Sequence, residues 1–385
     1  MLEVAEPEFM TEDDLPIFAN SVTQFLQREA PPERVQKWRN DGIVEREFWT
    51  KAGKQGLLGV SVPEEYGGAG GDFRHDVIVI DQVARRDVSG FAISLHNGVV
   101  TPYVVAHGTE EQKYRWLPRL SNGELIAAVA MSEPNVGSDL QRMRTTAHRD
   151  GNGYRISGQK TFITNGQLAN FIVVAAKTDT EAGGKGISLL VVETDQVEGF
   201  RRGRNLDKIG CEAQDTSELF FDDVWVSSEN LLGLKEGLGF KQLMAELPRE
   251  RLIIAIQAQA MIETALFETI DYVKQRKAFG QAIFDFQNTQ FKLAEAKTQA
   301  TISRIFLNDC LKLVLSRALS NTRAAMVKYW ITELQNRIVD DCLQMHGAYG
   351  YMNDYKIGRM YKDARVSRIY GGANEIMKVV IARSL

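Results

Sequence analysis

The stretch Ala245-Glu246-Leu247-Pro248-Arg249-Glu250-Arg251-Leu252 sets a carboxylate between two guanidinium groups at the mouth of an apolar run. Leu252-Ile253-Ile254-Ala255-Ile256 has no polar face, so a helix there is buried all round. A carboxylate at such a mouth must be paired or used in acid–base chemistry, because burying an unpartnered charge is costly. Neighbours on a helix point about 100° apart, so Glu250 can face a different environment from Arg249 and Arg251. The alternative is an ordinary ion pair at a helix start, with Glu246 and Glu250 one turn apart on a solvated face. The segment by itself favours that alternative.

Two glycine breaks are the next candidates. His346-Gly347-Ala348-Tyr349-Gly350 and Ile369-Tyr370-Gly371-Gly372-Ala373-Asn374-Glu375 each adjoin helical sequence. Free backbone N–H groups at a helix start suit an anion or a carbonyl oxygen. Pro63-Glu64-Glu65-Tyr66-Gly67-Gly68-Ala69-Gly70-Gly71 could cradle phosphate. It does not fit G-x-G-x-x-G, and no strand signal precedes it, so spacing favours a conformational loop.

The whole chain narrows the classes. Its 385 residues allow two or three domains, and 44% hydrophobic with 25% charged residues is ordinary for a globular protein. A net charge of −4 gives no reason to expect nucleic acid, and Arg201-Arg202-Gly203-Arg204 reads equally as a solvated loop. Cys211, Cys310 and Cys342 are odd in number and far apart, which suits reduced intracellular thiols. His75, His96, His107, His148 and His346 stand singly, so no metal site is expected. The acidic start Met1-Leu2-Glu3-Val4-Ala5-Glu6 resembles neither a signal nor a transit peptide. No apolar run is expected to reach the ~20 residues that span a bilayer.

The elements that must position these residues follow from periodicity. Residues 1–120 read as helices: an acidic start at Thr11-Glu12-Asp13-Asp14, a helix over Phe48 to Gly56, another from Val77 to Arg86, and a well-capped one opening at Thr109. Over 121–233 the period becomes two. Tyr154 to Ser157 and Thr161 to Thr164 flank an expected Gly-Gln-Lys turn, Asn165-Gly166 signals a hairpin, and Phe171 to Ala175 and Ile187 to Val192 read as buried strands. From 234 to 385 the chain returns to helices: Lys241 to Lys274 bent at Pro248, Gln287 to Ser316, Arg323 to Met345, Tyr355 to Ala364 and Ala373 to Arg383. This predicts an α+β multidomain protein with an N-terminal all-α domain, a middle β-barrel or sandwich domain and a C-terminal four-helix bundle, and it disfavours a Rossmann sheet.

Six motifs, in order, resemble the acyl-CoA dehydrogenase family over nearly the whole chain. They are the Pro63 to Gly68 loop; Ala130-Met131-Ser132-Glu133-Pro134-Asn135-Val136-Gly137-Ser138-Asp139, similar to T-E-P-x-x-G-S-D; Lys160 to Gly166, similar to K-x-[WF]-I-T-N-G; Gln275 to Gly280, similar to R-x-x-F-G; Gln344 to Gly347, similar to Q-x-x-G; and Ile369 to Glu375. The resemblance implies an FAD-dependent dehydrogenase that turns acyl-CoA into trans-2-enoyl-CoA and passes electrons to an electron-transfer flavoprotein.

Residue by residue, the resemblance implies FAD contacts at Val129, Met131, Ser132, Gly137, Ser138, Phe162, Ile163, Thr164, Ala373 and Glu375. Arg276, Phe279, Gln287, Gln344 and Gly347 would serve the FAD of a neighbouring subunit, in a homotetramer built as a dimer of dimers. Substrate would meet Ser138, Arg251, Tyr370, Gly371 and Gly372.

Two departures carry weight. Most of the family has its catalytic glutamate directly after the tyrosine of the last turn, where this chain has Gly371. The long-chain and isovaleryl-type branches carry the base on the long helix, at the position of Glu250. Segments 246–252 and 370–377 resemble the long-chain branch more closely. Ala373 replaces a threonine near the FAD. Glu250 then becomes the expected α-proton base, desolvated toward a pKa of roughly 6–7 with the two arginines opposing, and Gly371 N–H an enolate donor. The rival readings are a branched short-chain dehydrogenase, a flavin oxidase or monooxygenase of the same fold, and a non-catalytic acyl-CoA-binding protein. The expected compartment is bacterial cytoplasm, or the mitochondrial matrix for a processed chain.

Overall fold

The structure is a computed structural model that describes every residue except 1, 13 and 89. Part of the acidic N-terminal reading, at Met1 and Asp13, therefore lies outside the described residues.

Seven helices come first: α1 (Leu15–Glu29), α2 (Pro32–Asp41), α3 (Arg46–Lys54), α4 (Phe73–Arg85), the single turn α5 (Ile93–Leu95), α6 (Thr101–His107) and α7 (Glu110–Ser121). The Thr109 side chain caps α7 by accepting from Gln112 N–H, in a capping box. A π-helical turn, His96–Val100, joins α5 to α6; such turns are rare and frequently occur at functional sites. The glycine-rich loop is conformational, since a Cβ on Gly68 would sit 2.2 Å from Val62 O.

The strands follow: β1 (Ala127–Ala130), β2 (Thr146–Asp150), β3 (Gly153–Thr164), β4 (Phe171–Lys177), β5 (Ile187–Glu193), β6 (Phe200–Asn205) and β7 (Thr216–Ser227). They form one mixed sheet in the order β1-β4-β2-β3-β7-β6, with β5 paired to β4. The sheet curls on itself, for Ile156, Ile172, Val192, Leu219, Phe221 and Val224 share one core cluster. Its other face packs Phe171, Val173 and Val191 on Trp116, Leu117 and Leu120 of α7.

Two turn expectations fail here. The Gly158-Gln159-Lys160 segment is no turn: β3 runs straight through it, and Gly158 is needed because a Cβ would lie 2.5 Å from Thr145 Oγ1. Asn165-Gly166 closes no hairpin, because β3 pairs with β2 and β7 and not with β4. Instead Asn165, at φ +61°, ties the end of β3 to β1 by donating to Ala127 O at 3.0 Å.

The C-terminal part comprises α8 (Gly239–Gln275), a small hairpin of β8 (Lys277–Ala278) and β9 (Gln281–Ala282), α9 (Gln287–Leu315), α10 (Asn321–His346), α11 (Lys356–Ala364) and α12 (Asn374–Ala382). Helix α8 runs through Pro248 without interruption. By length and composition α8 is apolar enough to cross a bilayer, contrary to the sequence expectation. Yet 67% of its most apolar window is buried, where Leu252, Ile256, Ile262 and Leu266 pack on α9 and α10. Buried Arg39 of α2 gathers Asp87 at 2.7 Å, Glu212 at 2.7 Å and Asp363 at 3.5 Å, tying the three parts together.

Candidate active site

Glu250 lies in the fourth turn of α8 with only 6% of its surface exposed. Neither flanking arginine pairs with it. Arg249 bonds Asp76 of α4 at 2.8 Å, and Arg251, itself buried, donates to Asn321 of α10. Glu246 is 3.4 Å from His107 Nε2. The solvated ion pair that the segment favoured is therefore not what forms.

What Glu250 does meet is Tyr103 of α6, whose hydroxyl donates to Oε1 at 2.6 Å. Burial raises the Glu250 carboxyl to about 7. The Tyr103 bond and the two arginines pull the other way but do not cancel desolvation.

The glycine turn before α12 packs on the same helix face. Gly371 and Gly372 sit at φ +62° and +89°, and a Cβ on Gly371 would lie 2.2 Å from Cδ1 of Ile254, one turn beyond Glu250. Neither glycine N–H has a protein acceptor among the described residues, which leaves both free for a ligand oxygen. Lys328 of α10 fixes the turn from below: its buried ammonium donates to Gly372 O at 2.9 Å and Asn374 Oδ1 at 2.8 Å. Ala373 is the N-cap of α12 and supplies no side-chain cap, while Glu375 stands exposed in the first turn.

A second group forms where β1 and β3 meet. Glu133 accepts from Lys160 Nζ at 2.9 Å and from the N–H groups of Arg144 and Thr145, and Lys160 also donates to Met131 O. Thr161 N–H donates to Ser132 O at 3.0 Å. A bulge between Lys160 and Ile163 turns Phe162 outward at φ +59° and 70% exposure, a strained conformation for a bulky residue. Half-buried Ser132 and Thr164 have hydroxyls unbonded among the described residues. Val129 and Met131 share an apolar cluster with Tyr103 and Leu243, which links this group to Glu250.

A third group lies apart. Arg276 ends α8 and stacks over Tyr349 at 5.5 Å, beside the Gln344–Gly347 turn. Phe279, at the tip of the β8–β9 hairpin, is 97% exposed at φ +52°. Gln287, Gln344 and Gly347 are exposed too.

Family models for the N-terminal, middle and C-terminal domains of acyl-CoA dehydrogenase match residues 12–124, 128–224 and 237–385. The chain belongs to the acyl-CoA dehydrogenase family. It is 48% identical over 379 residues to the mitochondrial long-chain specific acyl-CoA dehydrogenase of Sus scrofa, covering 98% of this chain and 87% of that protein. It is 36% identical over 370 residues to the mitochondrial isovaleryl-CoA dehydrogenase of Solanum tuberosum, covering 96% and 89%. The crystal structure of an acyl-CoA dehydrogenase from Geobacillus kaustophilus superposes with a TM-score of 0.94 at 46% identity, covering 100% and 99% of the two chains.

Acyl-CoA dehydrogenases are FAD-dependent oxidoreductases, and the residues present fit that cofactor. An outward aromatic face on a strained bulge, two free hydroxyls beside it and unpaired N–H groups at the glycine turn suit a flat, polar-edged ring system. Sequence reasoning missed Tyr103 and Lys328. Tyr103 sits 147 positions from its partner, and Lys328 reads as one more polar residue on α10; only contact reveals either.

Proposed function

We propose that Glu250 is the base with which this acyl-CoA dehydrogenase removes the α-proton of a long, straight-chain acyl-CoA. The observation that carries the reading is a buried carboxylate with no cationic partner, a carboxyl raised to about 7, on the helix face that packs against the Gly371 turn. Bound FAD supplies the acceptor for the β-hydride and its electron pair. The α-C–H bond breaks as its proton passes to a Glu250 oxygen. Gly371 N–H meets the charge that grows on the thioester oxygen, with Lys328 holding the next carbonyl so that the turn stays open. Trans-2-enoyl-CoA leaves, and an electron-transfer flavoprotein takes the electrons.

The acyl chain has a path along α8. Ile254, Gln257, Ala258 and Met261 continue the Glu250 stripe and, with Ser94 and Met360, border a void of about 70 Å³ whose far side is polar, lined by Asp87, Gln335 and Asp363. The stripe from Glu250 to Met261 is about 16 Å long at ~1.5 Å per residue. Met261 and Met360 are adaptable enough to widen it. A separate cavity of about 720 Å³ between α10 and α11 is not lined by Glu250 or by the stripe beyond it and plays no part in this reading.

The reading also takes Val129, Met131, Ser132, Gly137, Ser138, Phe162, Ile163, Thr164, Ala373 and Glu375 as contacts of the subunit's own FAD. It takes Ser138, Arg251, Tyr370 and Gly372 as substrate contacts. Arg276 is 26 residues beyond Glu250 on one helix, about 39 Å away at ~1.5 Å per residue. One FAD does not span that distance, so Arg276, Phe279, Gln287, Gln344 and Gly347 serve the FAD of another subunit, in keeping with a homotetramer. Domain boundaries at 120/121 and 233/234 follow the change from helices to sheet and back.

Two variants test this. Glu250→Gln keeps size and hydrogen bonding, so FAD and acyl-CoA still bind, while anaerobic flavin bleaching by acyl-CoA falls by about 10²–10⁴-fold. Near-normal bleaching would end the assignment. Arg276→Ala weakens FAD retention by about 1.5–3 kcal/mol through lost charge-assisted bonds. A monomer that kept all its FAD after this change would sink the shared-site reading.

A further inference from the structure

Tyr103 is fully buried on α6, and its hydroxyl is the only donor to Glu250 among the described residues. The mount beneath it is stiff. Thr101 Oγ1 donates to His96 O at 2.7 Å, and the His96 ring is fixed between Leu120 O at 3.0 Å and Ala127 N at 3.2 Å. The π-helical turn also sits hard against α8, for a Cβ on Gly98 would lie 2.4 Å from Ile253 Cδ1. The phenol and the carboxylate are thus held by two elements in close contact, with little freedom to part.

We propose that Tyr103 is a positioning residue for the dehydrogenation: its hydroxyl anchors Oε1 of Glu250 and leaves Oε2 directed to the α-carbon of the acyl-CoA. This rests on Glu250 being the base. A donor to a carboxylate also favours the ionised form, and here it is the first influence opposing desolvation. The phenol stays a donor at every working pH, because burial and then the Glu250 charge hold its own ionisation well above 10.

The other charged groups near Glu250 are already engaged. On its own helix Glu246 faces His107 of α6, Arg249 is held by Asp76 of α4, and Arg251 by Asn321 of α10. Lys328 of α10 is spent on Gly372 and Asn374 of the glycine turn. None of them is placed to replace Tyr103.

The test is the pH dependence of single-turnover flavin reduction in the FAD-loaded Tyr103→Phe protein. The acid limb, near pH 7 in the parent, moves up by about one to two pH units. Reduction at pH 7 falls at least about 5- to 50-fold, recovers only in part in alkali because the ionised carboxylate is no longer aimed, and acyl-CoA affinity is unchanged. Difference infrared spectroscopy on ligand-free protein reads the same carboxyl: a protonated C=O band, absent from Glu250→Gln, titrates at the higher midpoint in Tyr103→Phe. Replacing Tyr103 with 3-fluorotyrosine keeps the ring and strengthens donation, so both midpoints move to lower pH, and this variant decides the matter if Tyr103→Phe does not fold. A rate lowered equally at all pH values, or unmoved midpoints, would overturn the proposal. Unmoved midpoints alongside an inactive Glu250→Gln remove only Tyr103, whereas an active Glu250→Gln removes the base itself.

Discussion

Glu133 and Glu250 are both 6% exposed, yet they are held in opposite states. Burial pushes the Glu133 carboxyl up, but Lys160, Thr145 and the N–H of Arg144 outweigh it and hold it below its ordinary value. Lys160, fully buried beside it, is lowered to about 8 by desolvation against the same partner. Glu250 has one neutral donor and no cation in bonding reach, and it rises to about 7. The two expose the same small fraction of surface, but Glu250 lies deeper in the protein, so greater desolvation and poorer partner chemistry act together. A carboxylate saturated by an ammonium and backbone donors is a fastener, joining β1 to β3 under the Phe162 bulge. A carboxylate left with one hydroxyl is poised to take a proton near neutral pH.

Exchanging each carboxylate for its amide breaks the comparison most sharply. In Glu250→Gln the reduction rate collapses as above while the fold persists. In Glu133→Gln the buried ammonium of Lys160 loses its counter-charge, and stability falls by about 3–5 kcal/mol. The rate per folded, flavin-loaded molecule changes far less. Denaturant unfolding combined with stopped-flow bleaching separates the two, and equal effects of both variants on rate would erase the distinction.

A smaller effect is visible in stability against pH. The Glu250 carboxyl is at 4.5 in the unfolded chain and about 7 when folded, so between those values the native state holds more protons. Stability due to this group is full below about pH 4.5, falls as pH rises, and is lost above about 7. Its ionisation then costs the fold about 3 kcal/mol, at 1.36 kcal/mol per pKa unit. Glu250→Gln is therefore more stable than the parent at pH 8 by about that amount and equal to it at pH 4, as urea titrations at the two values would report. A difference independent of pH would contradict a raised carboxyl.

The smallest increments probe what lies beyond the base. Each methylene added to the acyl group contributes roughly 0.8 kcal/mol to kcat/KM until the stripe from Ile254 to Met261 is filled. An optimum at branched short chains would transfer the protein to the isovaleryl-type branch.

Much of this was legible in the order of residues. Long helices with apolar periodicity announced themselves: Gln287–Leu315 and Asn321–His346 lie within two residues of expectation, because a repeat of 3.6 sustained over many turns has one reading. The six motifs identified the family, and the absence of a carboxylate at Gly371 directed attention to Glu250. Local signals failed in the sheet. Asn165 takes its left-handed backbone in order to bond β1 rather than close a hairpin, and Gly158 lets β3 pass Thr145 rather than turn. Pairing partners in a sheet are chosen by distant strands, which turn propensity does not encode.

The same limit applies at the site. Residue types and position nominated Glu250, but whether its flanking arginines would neutralise it depended on Asp76 and Asn321, far away in sequence, drawing them off. Tyr103 and Lys328 belong to helices whose periodicity says only that one face is buried. Burial and bonding partner set a carboxyl's basicity, and both are properties of packing, so the tertiary structure alone decided that the Glu133 carboxyl is held low and the Glu250 carboxyl raised to about 7.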